Sequence, residues 1–285
     1  MGIRSILAPV RGDGKGEIVL DHACSLAKRL GAHIDVIHAR ARPKDMLPFG
    51  VLMTDAMKAT ILDAAEIHAK DEEQRVRNLF DNYCADNGLK IVEQGQSAQD
   101  GSTISWIEKT GKQANLVGLY GRIADLVVVP KPDAELGINT LEAALMDAQV
   151  PTLMCPNKKP ENLGNTIALA WNGSEQAARA IKRSMPILQE ASTVYLMTSD
   201  EDGQTSGLSA SDMQIALTRH GVDCVVHQLD VDHEIGQTLL DMAKGVRADM
   251  LVMGAYSHSR RRELVMGGAT HYIINNARMP VLMLH

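Results

Sequence analysis

Apolar residues recur along the chain in two rhythms. Short runs such as Ile3–Val10, Ala32–His38, Asp125–Pro130 and Val150–Cys155 read as strands. Each is too short for a helix and is bounded by polar or glycine-containing stretches. Ile18–Leu30 instead carries Val19, Ala23, Leu26 and Leu30 at helical spacing, with Gly31 placed to end the helix. Arg40–Gly50, with Pro43 and Pro48, is a loop. Leu52–Asn87 is a long helical region, continuous or broken once, with charges on one side and Ile61, Leu62, Val76 and Phe80 on the other. Leu89–Gln94 is a short strand, and Ser102–Gln113 and Asn139–Ala148 are helices.

Pro156–Gly164 is polar, holds two prolines and reads as a linker. After it the order restarts. Thr166–Ala170, Thr193–Met197, Val222–Leu229, Asp249–Gly254 and Met279–Leu284 are strands. Glu175–Glu190, Ser209–His220, Ile235–Val246 and Leu264–Ala277 are helices between them. Asp125-Leu-Val-Val-Val pairs with Asp249-Met-Leu-Val-Met, and Val150-Pro-Thr-Leu-Met with Met279-Pro-Val-Leu-Met. The same βαβαβ series thus occurs twice, offset by about 160 residues. This alternation predicts an α/β protein of two tandem, doubly wound parallel-sheet domains, residues 1–157 and 163–285.

Composition narrows the function classes. The net charge is −6, so no domain-wide basic face for nucleic acid is expected. No run approaches the ~18 apolar residues of a membrane helix, and the N-terminus runs straight into a strand without a leader pattern. A cytoplasmic protein with no membrane partner is expected. Cys24, Cys84, Cys155 and Cys224 stand far apart in apolar contexts and suit reduced core thiols. No zinc-spaced cluster, HExxH or GxSxG is present, so neither a metal site nor a catalytic centre is expected. Arg11–Gly16 is glycine-rich but is no Walker loop, because Pro9 and Gly16 stand where that motif needs Gly and Ser/Thr.

Candidate chemistry gathers in the last strand–loop–helix–strand unit. Gly254 leaves an apolar strand, Ala255–Arg262 is a polar loop with three arginines, and Gly267-Gly268 open a helical segment. Ligands of open α/β sheets bind at strand carboxyl ends, and helix N-termini favour anions. The glycines suit either close approach of a phosphate or close packing of helix on sheet.

The spacing Gly254-x2-Ser257-x9-Gly267-Gly268, followed by Met279-Pro-Val-Leu, resembles the nucleotide loop of the universal stress protein family. The resemblance covers essentially the whole chain as a tandem pair. It implies a Rossmann-like, adenine nucleotide alpha hydrolase-like fold, a stress-response role, and ATP, with Mg, bound in the C-terminal domain. It further implies that Ala170, Asn172, Thr198, Gly254, Ser257, His258, Gly267, Gly268 and Ala269 form the nucleotide site, with Thr198 offering backbone to adenine. Asn172 stands where relatives usually carry Asp, Ser257 where they carry Gly, and Gly268 where they carry Ser/Thr. Trp171 is placed either to stack on a base or to pack in the core. In the first half Pro130-Lys-Pro-Asp133 replaces the loop, which marks that half as a structural partner. Relatives pair through their last strands, so a tandem chain resembles such a dimer in one polypeptide, and a further homodimer is compatible with it. The alternative is a nucleotide-free scaffold that acts through a protein partner.

Overall fold

A computed structural model describes residues 2–47, 52–93, 95, 102–133, 139–199, 208–230, 234–256 and 268–285. The N-terminal half runs β1 (Ser5–Val10), α1 (Gly16–Leu30), β2 (His33–Arg40), α2 (Asp55–Asp86), β3 (Lys90–Ile91), β4 (Thr103–Thr110), α3 (Gln113–Tyr120), β5 (Leu126–Pro130), α4 (Asn139–Glu142) and β6 (Thr152–Cys155). A π-helical turn, Ala143–Ala148, continues α4. The C-terminal half runs β7 (Thr166–Trp171), α5 (Glu175–Arg183), α6 (Met185–Leu188), β8 (Thr193–Thr198), α7 (Ala210–Arg219), β9 (Cys224–Gln228), α8 (Ile235–Gly245), β10 (Met250–Gly254), α9 (Gly268–Asn276) and β11 (Val281–Leu284).

All eleven strands belong to one sheet, ordered β3-β4-β2-β1-β5-β6-β11-β10-β7-β8-β9. Pairing is parallel inside each half, as crossover helices require. The halves join where β6 and β11 run antiparallel, Leu282 opposite Leu153. The last strand of one repeat therefore pairs with the last strand of the other. Two apolar layers cover the sheet. One holds α1, α2, α5 and α7 residues such as Leu20, Phe80, Ile181 and Leu217. The other holds α3, α4, α8 and α9 residues such as Val117, Leu141, Leu239 and Ile273. Both layers run across both halves, so the two repeats share their cores.

Each repeat places an aspartate just before its fourth major strand. Asp125 accepts the N–H groups of Arg4 and Ser5 at 2.8 and 3.0 Å, at the entry to β1. Asp249 does the same for Gly164, Asn165 and Thr166 at the entry to β7. A carboxylate there satisfies strand-start donors that have no ladder partner.

Three sequence expectations change and one open alternative is settled. Thr103–Thr110 is a strand where a helix over Ser102–Gln113 was expected, and the helix starts only at Gln113. The β-branched and aromatic run pairs with all eight residues of β2, which outweighs a weak helical rhythm. The helix expected over Glu175–Glu190 breaks after Arg183, because Pro186 cannot donate to the helical ladder. The long second helix is unbroken over 32 residues, with no Pro or Gly inside it and Thr54 capping its start. Pro156–Gly164, expected as a linker, is a packed seam. Lys159 pairs with Asp21 at 3.1 Å, Leu163 is buried, and Arg29 donates to the Leu163 carbonyl.

Candidate functional site

Each half has a point where successive crossovers leave the sheet in opposite directions. It lies between β1 and β5 in the N-terminal half and between β7 and β10 in the C-terminal half. In such sheets the ligand crevice forms at the strand carboxyl ends beside this point.

The C-terminal crevice gathers most of the expected residues. Ala170 and Asn172 sit at the end of β7, Gly254 at the end of the neighbouring β10, Thr198 at the end of β8, and Gly268 and Ala269 open α9. Ser257, His258 and Gly267 lie outside the described residues, as do Arg260–Arg262.

The local chemistry assigns several of these residues work of their own. Asn172 Oδ1 accepts from the Ser174 hydroxyl at 2.6 Å and from the Ser174 N–H at 3.2 Å. Ser174 in turn caps α5 by accepting the Ala177 N–H. This Asx turn, helped by Gly173 at φ 68, uses the Asn172 oxygen as acceptor, and the amide NH2 has no partner among the described residues. The Thr198 carbonyl accepts the Leu229 N–H at 2.6 Å and the side chain is buried. Trp171 is 2% exposed and belongs to the core, so it does not stack on a base in the crevice.

Gly254 answers to packing. A Cβ there would meet the Ala177 nitrogen at 2.6 Å and the Gln176 carbonyl carbon at 2.7 Å. The N-terminal turn of α5 lies directly on the strand end, and only glycine permits it. Gly268 differs: among the described residues a Cβ would meet only Glu234 Oε1 at 3.5 Å. Those residues leave its bare backbone unexplained.

Beyond Gly254 the chain turns through Tyr256, at φ 60, whose ring meets His285 edge-on at 5.9 Å. Burial pushes the Tyr256 phenol up to about 12, and the Glu142 carboxylate of the N-terminal half adds to the shift. The start of the loop therefore feels a charge of the other repeat, a coupling that nothing in the local sequence signals.

The N-terminal crevice is closed by its own charges. Lys15, after β1, reaches Asp133, after β5, at 2.6 Å, and also donates to the Lys131 carbonyl at 3.0 Å. The Gly12 N–H donates to Glu72 of α2 at 3.3 Å. Carboxylates thus occupy the cation and a loop donor that would otherwise face an anion. Lys131 caps the C-terminus of α9 through the Asn275 and Ala277 carbonyls, which ties this strand end to the other half. A cleft of about 770 Å³ remains beside these strands, but Glu72, Glu142 and Asp147 line it as well as Arg11, Arg42 and Lys112. Its balanced charge does not suit a triphosphate. Among the described residues no three His, Cys, Asp or Glu side chains gather as metal ligands. No helix among them is long and apolar enough to cross a membrane.

No curated protein matches the chain. Among solved structures, a universal stress protein from Archaeoglobus fulgidus DSM 4304 superposes with a TM-score of 0.68 at 16% identity, covering 98% of this chain and 95% of its own. A functionally unknown protein from Pseudomonas aeruginosa PAO1 superposes with a TM-score of 0.53 at 16% identity, covering 99% and 92%. At such identity the likeness is one of fold. The model of the universal stress protein family matches residues 165–285, the half that contains the β7–β10 crevice. The chain therefore carries a universal stress protein domain in its C-terminal half, within a Rossmann-like fold that spans the whole chain.

Proposed function

We propose that the chain is a stress-response regulator that binds one adenine nucleotide, ATP with Mg, in the β7–β10 crevice and uses the N-terminal half as a fixed partner. The observation that carries this is Gly268. It opens α9 at the strand carboxyl ends, inside the family-matched segment, and no neighbour among the described residues accounts for its missing side chain. A helix start with open backbone suits phosphate oxygens. The free NH2 of Asn172 suits a ribose or phosphate oxygen, not a donor. Binding, not turnover, is the proposed activity, because among the described residues at the crevice no base is paired with a nucleophile.

Two observations favour a second reading, a nucleotide-free scaffold for a protein partner. Gly254 is fully explained by α5, and Trp171 is withdrawn into the core. Calorimetric titration of the full chain with Mg-ATP separates the two. Saturation at one nucleotide per chain, weakened by Gly268→Val with thermal stability retained, supports the first. Failure to saturate at millimolar nucleotide overturns it.

A further inference from the structure

A cavity of about 290 Å³ lies at the opposite end of the C-terminal strands, where β7, β10 and β11 begin. Its walls come from α1, the Pro156–Thr166 seam and the turns that enter β10 and β11. It is independent of the nucleotide crevice and too small for a nucleotide, since pockets for drug-sized ligands start at roughly 300 Å³.

At its wall is His22 of α1, which is 0% exposed. Its Nδ1 lies 2.7 Å from the Ile18 carbonyl, so that nitrogen carries the proton and donates. Burial lowers the pKa of the ring, against the opposing pull of the Ile18 bond and of Asp21, and so favours the neutral form. Nε2 is then a lone-pair acceptor, and it is buried without a hydrogen-bond partner. A buried bare acceptor calls for a donor.

The charges around it are mostly spent. Lys158 pairs with Glu161 and Lys159 with Asp21, each at 3.1 Å. Asp249 is occupied by the backbone N–H groups at the β7 entry. Two lining guanidiniums, Arg247 and Arg278, form no ion pair among the described residues. Arg247 also holds φ 55, one residue beyond the end of α8, where its N–H bonds the Lys244 carbonyl and the Ala248 N–H bonds Ala243. Glycine is the default at such a position, and an exposed arginine stands there instead.

We propose that this seam cavity binds a small oxyanion that carries a hydroxyl, with the O–H donated to His22 Nε2 and the negative charge set between Arg247 and Arg278. Hydrogen phosphate and short hydroxycarboxylates share that chemistry. Sulfate has the charge but no proton to give at neutral pH.

The test is titration of the full chain with inorganic phosphate, malate and sulfate, followed by calorimetry and by the 15N resonances of the His22 imidazole. The expected result is saturable binding of phosphate or malate that shifts the Nε2 resonance, with sulfate at least about tenfold weaker because it lacks the donor. Whichever of phosphate and malate binds more tightly identifies the source. Arg247→Gly relieves the backbone, keeps the fold and weakens binding about tenfold, as does Arg278→Ala. His22→Phe removes the preference over sulfate. Saturating Mg-ATP leaves the phosphate isotherm unchanged, so failure here and failure of the nucleotide proposal are separate results. The proposal is overturned if phosphate and malate do not saturate, if sulfate binds equally well, or if Arg247→Gly and His22→Phe leave binding untouched.

Discussion

The two crevices of this molecule share a topology and differ in who supplies the negative charge. In the N-terminal half the protein supplies it. Asp133 takes Lys15 at 2.6 Å, and Glu72 takes the Gly12 N–H. Glu72 stands on α2, a 32-residue helix between β2 and β3, whereas the corresponding α7 of the C-terminal half has 10 residues. In that half, among the described residues, no ion pair joins the ends of β7 and β10. The sheet recurs in both halves, and the longer helix and the Pro130–Asp133 segment commit one of the two crevices to internal bonding. A repeat of fold is therefore no repeat of site, because crevice chemistry lives in loops and insertions while the sheet only places them.

The comparison can be broken most forcefully at Gly254. Gly254→Val drives a branched side chain into the backbone of α5 and is expected to cost about 3 kcal/mol or more in chemical denaturation. A near-neutral result would show that α5 does not rest on β10. Next come the paired acids. Asp249→Ala and Asp125→Ala should each cost about 1–3 kcal/mol, because each leaves backbone donors unmatched. Asp249, which is half-buried, should cost more. If only one of them matters, the aspartate anchor is not a shared feature of the repeats.

Smaller effects test the closed crevice. Glu72→Ala is expected to lower stability by about 0.5–1.5 kcal/mol, and Asp133→Ala by about 0–1 kcal/mol because that carboxylate is half exposed and screened. Neither should create nucleotide binding in the N-terminal half, since Pro130 and Pro132 withhold donors there. Saturable Mg-ATP binding to a Glu72→Ala, Asp133→Ala chain whose C-terminal crevice is blocked by Gly268→Val would refute the assignment of that half as a fixed partner. The smallest expected change is Gly268→Ala, neutral or up to about 1 kcal/mol stabilising by helix propensity. A large loss on thermal melting would mean that Gly268 answers to packing after all and would remove the observation on which the nucleotide proposal rests.

Much of the fold was legible because it depends on period. Apolar runs such as Leu126–Val129 and Met250–Met253 declare buried parallel strands by themselves. The repeated Asp-plus-strand pattern declares two copies. The matching ends at Thr152–Cys155 and Val281–Leu284 foretell the strands that meet across the two halves. What failed was local ambiguity. Thr103–Thr110 has both a strand composition and a loose helical rhythm, and only β2 beside it settles the matter.

The candidate site was less legible. Its residue types were visible in the chain, but their occupation was not. That Lys15 reaches Asp133, that Gly254 is bare for the sake of Gln176 and Ala177, and that Glu72 finds Gly12 are facts of where side chains stand. By itself the sequence determined that this chain is a duplicated α/β sheet, because hydrophobic periodicity is a local property. Tertiary structure decided which polar groups are already satisfied and which remain for a ligand, because a hydrogen bond or an ion pair needs two groups within about 3 Å, and residues sixty to more than a hundred positions apart reach that distance only when the sheet has formed.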